Sequence, residues 1–137
     1  MQILPHTNVT QGPADWFTGH VDIQPLKAVS GDSKLSMSSV HFSAGARSAW
    51  HTHPKGQTLY VTDGIGVIQK RGEPIQIIRS GDVIWTEAGE EHWHGAAAGC
   101  EMTHLAIQES DDQDSFANWH EHVTDEEYNR QPQVRKA

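Results

Sequence analysis

The middle of the chain reads as short mixed apolar and polar runs divided by glycine-rich turns. LSMSSVHF (35–42), TLYVT (58–62), GVIQK (66–70), PIQIIR (74–79), DVIWT (82–86) and MTHLAIQ (102–108) are separated by SAGA (43–46), DGIG (63–66), RGEP (71–74), SGD (80–82), EAGEE (87–91) and AAAGC (96–100). Short strands at this spacing predict an all-β antiparallel sandwich or barrel, and no comparably long amphipathic helix interrupts them. The ends differ. Residues 1–34 hold GPADWFTG and the polar SGDSK, and read as an extension packing on the barrel with one or two strands. Residues 35–110 are the barrel. Residues 111–137 form a C-terminal segment in which Thr124 and Glu127 have the spacing of a capping box opening a short helix. DDQD (111–114) reads as a solvated turn.

Strand parity sorts side chains by face. In MTHLAIQ, His104, Ala106 and Gln108 share one face, a polar–small–polar pattern that suits a pocket wall better than a core. Thr103, Leu105 and Ile107 are then expected to pack against the rest of the sandwich. Ser38, Val40 and Phe42 on the early strand are candidates for the same pocket.

Composition narrows the partners. The 137 residues suit one domain, and 10 basic against 18 acidic residues give a net charge of −8. That balance argues against nucleic acid, whose phosphates need a basic surface. No apolar run approaches the roughly 20 residues of a membrane helix. The N-terminus (MQILPHTNVTQGPADW) lacks the basic flank and apolar centre of a signal peptide, and Cys100 is the only cysteine. A cytoplasmic protein is the expectation, with Cys100 a small hydrophobe.

Histidines carry the chemistry. HTHPKGQ (51–57) places His51 and His53 on one face of a strand, with PKG as a turn and Gln57 opening the next run. A bare H-x-H is often two exposed histidines. Here Gly45 stands six residues before His51 and Gly64 seven after Gln57, where tight turns would let strands close up. Two neighbouring strands then offer three ligands to one point, and His92 is the fourth candidate. His94 shares the parity of His92, and Trp93 faces the other way. His94 and His104 are each either a structural histidine bonded to backbone or a general base beside a Lewis acid. His6, His20, His41, His120 and His122 read as surface residues.

GARSAWHTHPKGQTLYVTDG (45–64) resembles the first cupin motif, with Gln57 where a glutamate usually stands. GDVIWTEAGEEHWHGA (81–96) resembles the second, departing from it at Glu87 for proline and Ala96 for asparagine. The resemblance implies a cupin β-barrel, a double-stranded β-helix of jelly-roll type, with one divalent metal per subunit held by His51, His53, Gln57 and His92. Such a neutral donor set suits Mn, Fe, Zn, Ni or Co with two open positions. It leaves the ion more positive, and so a stronger Lewis acid, than a glutamate at position 57 would.

GPADWFTG, ARSAWHTHPKGQTL, GDVIW, GEEHWHGAA, MTHLAIQE and EHVTDEEY together resemble the small manganese-dependent cupin hydroxynitrile lyases, which make and cleave (R)-mandelonitrile. That resemblance implies manganese, a small-molecule substrate and a homo-oligomer, dimer or tetramer. It also implies pocket positions at His94, His104, Gln108, Ser38 and Val40. The expected reaction is cyanohydrin cleavage, with His104 taking the hydroxyl proton, Gln108 orienting it or the substrate, and His94 the competing base. A cupin dioxygenase or isomerase, or a non-catalytic metal-dependent binding module, would use the same ligands. Trp16, Phe17 and Trp119 lie in the terminal segments through which cupins commonly exchange contacts between subunits.

Overall fold

A computed structural model describes residues 1–134. Its strands are β1 (Thr10–Gln11), β2 (Phe17–Thr18), β3 (Val21–Lys27), β4 (Leu35–Phe42), β5 (Arg47–Ser48), β6 (His51–Thr52), β7 (Gln57–Lys70), β8 (Gln76–Arg79), β9 (Val83–Thr86), β10 (His92–Ala96), β11 (Met102–Glu109) and β12 (Asn118–Trp119), followed by helix α1 (Asp125–Tyr128). All pairings between these strands are antiparallel. The sheet curls in the order β1-β3-β4-β11-β7-β10-β5-β2, with β12 on β6, β6 on β10, and β8 and β9 both on β7. Among the described residues no helix is long and apolar enough to cross a membrane.

Residues 57–70 form one strand, where the sequence suggested two runs around a DGIG turn. Gly64 makes this possible. Its φ is +79°, and a Cβ there would stand 2.0 Å from the Glu101 carbonyl oxygen, so only glycine lets β7 bend against its neighbour. Before the bend β7 pairs with β11 and β9; after it, with β10 and β8. One strand thereby crosses from one wall of the barrel to the other.

The extension over residues 1–34 supplies more strand than expected. VDIQPLK forms β3, a full neighbour of β4, with a register shift between Pro25 and Lys27. Proline is tolerated because β1 pairs only with Asp22 and Ile23, leaving Pro25 on an edge with no hydrogen-bond donor required of it.

Two apolar clusters hold the walls. Val40, Phe42, Leu59, Val61, Met102 and Ala106 meet Phe17, Ala46, Ile68, Ile78 and Ala96 between them. Trp50, Val67, Trp93 and Ala97 form a second cluster on the outside, covered by Val123 and Tyr128 of the C-terminal segment. The capping box is present, with the Thr124 hydroxyl accepting from the Glu127 amide and the Glu127 carboxylate accepting from the Thr124 amide. Tyr128 donates to the Ala96 carbonyl at 2.6 Å, and Arg47 donates to Val123 O and Asp125 Oδ1. These bonds tie the short helix to the barrel. Thr103, Leu105 and Ile107 do not enter a core as parity suggested. They are half-buried on an outer face where Tyr60, Val83 and Trp85 are exposed, because no further layer covers that wall.

Candidate metal centre and its pocket

His51 sits in β6, His53 two residues on, and His92 opens β10 directly opposite His51. Strands β6 and β7 are not neighbours as the sequence suggested: β10 lies between β6 and the far half of β7, so the turn from His53 to Gln57 passes between walls. His51, His53, His92 and Gln57 are all buried. Ligand atoms of the three histidines lie within 4.8 Å of one another, the one such group of three among the described residues.

Each imidazole is aimed by its own backbone bond. Nδ1 of His51 meets Ala49 O at 2.8 Å, Nδ1 of His53 meets Phe116 O at 2.8 Å, and Nδ1 of His92 meets Glu90 O at 2.9 Å. A carbonyl accepts only, so each Nδ1 carries the proton and each Nε2 offers a lone pair. Gln57 Nε2 donates to Gln108 Oε1 at 2.8 Å, which turns Gln57 Oε1 toward the His53 ring. His53 Nε2, His92 Nε2 and Gln57 Oε1 are buried without any hydrogen-bond partner. Leaving such atoms unpaired costs roughly 1–3 kcal/mol each. A divalent ion would remove that cost, so the donor set fits one, with His51, His53, His92 and Gln57 as its protein ligands.

Gln108 is thus engaged with Gln57 through its amide oxygen, it lines the cavity, and no hydrogen bond joins it to His104 among the described residues. Removing that contact is expected to weaken metal binding: Gln108→Leu should lower affinity about 10- to 100-fold in a chelator competition. An unchanged affinity would mean Gln57 needs no support.

A cavity of about 340 Å³ opens on this group. His51, His53, Gln57, His94, His104, Gln108, Ser38, Val40 and Ala106 line it; His92 and Phe42 do not. Phe42 instead packs behind, 5.8 Å from His94 and 5.3 Å from His104 between ring centroids. His104 Nε2 and His94 Nδ1 are 3.1 Å apart, while His94 Nε2 and His104 Nδ1 are buried and unpartnered. Two neutral imidazoles carry two N–H groups, one of which occupies the shared bond. The other sits on one outer nitrogen, so the remaining outer nitrogen is a free acceptor.

Burial holds these rings neutral before any ion is considered. Desolvation is the leading cause at all five buried histidines: it brings His104 and His92 down to about 4, lowers His53, and places His51 and His94 well below the ordinary value, with neighbouring imidazoles adding to the last two. In the unfolded chain they titrate near 6.5. The unfolded chain therefore takes up protons that the folded one refuses. Stability of the metal-free protein is expected to be full above about pH 6.5 and to fall from there toward pH 4, by roughly 3 kcal/mol from His104 alone. Thermal melts of metal-free protein across that range check it, and a flat Tm would refute it.

The remaining histidines stay outside. His6, His20, His120 and His122 are exposed, and His41 bridges Thr103 Oγ1 and Glu101 Oε1 on the outer face. In DDQD, Asp111 accepts from the Gln113 and Ser115 amides, a turn and not a site. Nothing in the sequence marks Ile23, Phe116 and Ala117 as pocket residues, and Trp16, Phe17 and Trp119 stand out there only as aromatics of the terminal segments through which cupins commonly exchange contacts. All six line the cavity within one chain.

The Cupin domain family model matches residues 38–107. The (R)-mandelonitrile lyase of Granulicella tundricola is 54% identical over 120 residues, covering 88% of this chain and 91% of that protein. A cupin-like protein from Thermotoga maritima superposes with a TM-score of 0.85 at 36% identity, over 98% of this chain and 100% of that one. The polyketide cyclase of Streptomyces resistomycificus shares the fold alone, at 14% identity and a TM-score of 0.71, over 94% of this chain and 91% of that one.

Proposed function

The chain belongs to the cupin domain family, and on that premise we propose that it is a metal-dependent carbon–carbon lyase that cleaves and forms cyanohydrins such as mandelonitrile. The observation that carries the reaction is the 54% identity, along nearly the whole of both chains, to a protein named (R)-mandelonitrile lyase. The geometry supplies a means. A bound divalent ion, manganese in this reading, would provide Lewis acidity toward the negative charge that develops as cyanide leaves. His51, His53 and His92 would hold the ion through their Nε2 atoms, and Gln57, held by Gln108, would add an amide oxygen without adding charge.

The proton is the task of the second pair. Whichever of His104 Nδ1 and His94 Nε2 is the free acceptor takes the hydroxyl proton as the carbonyl forms. The bond between the two rings lets that proton be shared, and His104 is the base we assign. In the synthetic direction the same nitrogen returns the proton to the nascent alkoxide. Ser38 and Val40, which line the cavity, would border the substrate. A cytoplasmic homo-oligomer is part of this reading.

The test is benzaldehyde release from racemic mandelonitrile by protein whose metal content has been defined. Metal-dependent release with a preference for the (R) enantiomer is expected. No release above the uncatalysed rate from the manganese-loaded protein would overturn the lyase assignment. Oxygen uptake by an iron-loaded sample instead would assign a dioxygenase.

A further inference from the structure

We propose that the stacked indoles of Trp16 and Trp119 are the specificity-determining wall of the cavity and select ligands bearing a flat aryl group. The two rings come from opposite ends of the chain yet lie almost parallel, at 8° with centroids 5.0 Å apart. Trp119 meets Phe17 at 5.9 Å and 59° on another side. Its ring also lies 4.5 Å from that of His51. The pairing of β12 with β6 sets Trp119 opposite His51 on the backbone, so the indole position is fixed relative to the candidate metal ligand. An aromatic surface therefore runs from the metal centre toward solvent, where Trp16 is 39% exposed.

No Lys, Arg, Asp or Glu lines this cavity among the described residues. Selection between rings of equal size must therefore come from shape and π contact rather than charge. Aromatic rings prefer offset-stacked or edge-to-face partners, and two indoles and Phe17 line the cavity as partners for such contacts. Packing of this kind adds about three- to tenfold in affinity beyond the area buried. The proposal names the substrate class of the site already assigned, and it rests on the lyase reading only for the word substrate.

Equilibrium binding separates the two ideas. Benzyl alcohol and cyclohexylmethanol, neither a cyanohydrin, are titrated by ligand-observed NMR into metal-loaded protein. The wild type should bind the aryl alcohol about three- to tenfold more tightly. Trp16→Leu should bring that ratio close to one at unchanged metal content, and Trp16→Phe should retain most of it. A general loosening of the site would weaken both alcohols equally and leave the ratio, which would overturn the proposal. Trp119→Leu, also compared at full metal loading, is the second variant, and a ratio that survives both substitutions refutes the assignment. Ring preference without cyanohydrin turnover would sink the lyase reading and leave this one standing. Turnover without ring preference would do the reverse.

Discussion

A His51→Ala, His53→Ala double variant should hold no stoichiometric divalent metal and should lose mandelonitrile turnover by at least about a thousandfold, roughly 4 kcal/mol of transition-state stabilisation. The size follows from what is removed. Two of the four donors disappear, and with them the pair of backbone contacts, to Ala49 O and Phe116 O, that aim the donors inward. His92 and Gln57 alone leave a site too open to compete with water. Metal analysis and the benzaldehyde assay on the same preparation read both effects. Turnover that persists in metal-free variant protein would dismiss the metal from the reaction.

His104→Ala, His94→Ala and the double variant should each lower kcat by about 10²- to 10⁴-fold, with the double no worse than the larger single. These losses follow from the 3.1 Å bond joining the rings and from the one free acceptor that their two protons leave. Either deletion breaks that arrangement and leaves the surviving ring without its partner. Metal content should be unchanged, because neither ring belongs to the group of three histidines that could hold the ion. Losses that multiply in the double variant would show two independent groups, and a silent His104→Ala would move the base to His94.

The parts of the molecule visible in its sequence are those governed by local rules. LSMSSVHF becomes β4 over the same residues, and Thr124 with Glu127 closes the capping box that its spacing suggested. His51 and His53 share a face because strand parity acts over two residues. His92 was legible only through the resemblance to the second cupin motif, since it meets His51 across a pairing of strands far apart in sequence. Longer-range decisions stayed hidden. Gly64 reads equally well as a turn or as a bend within one strand, and the difference is made by Glu101, 37 residues on in sequence and 2.0 Å from where a Cβ would stand. Pro25 disguised β3, since a proline is harmless only if its strand is locally an edge. Parity also put Gln108 on the pocket face but could not show its bond to Gln57, because parity fixes direction and not distance. The pocket wall was least legible: Trp16 and Trp119 are brought together by β2 and β12 docking on the barrel from opposite termini.

The three Nδ1 bonds to Ala49, Phe116 and Glu90 carry a thermodynamic corollary. Because each imidazole is already neutral and already the Nε2 tautomer that ligates, loading at neutral pH liberates no proton from the ligands. The heat of uptake is then independent of the ionisation enthalpy of the buffer, and the binding isotherm does not shift between mildly acidic and neutral medium. Near neutral pH, occupancy would then follow the free concentration of the ion, and stronger acid would act on it through the loss of the metal-free fold's stability.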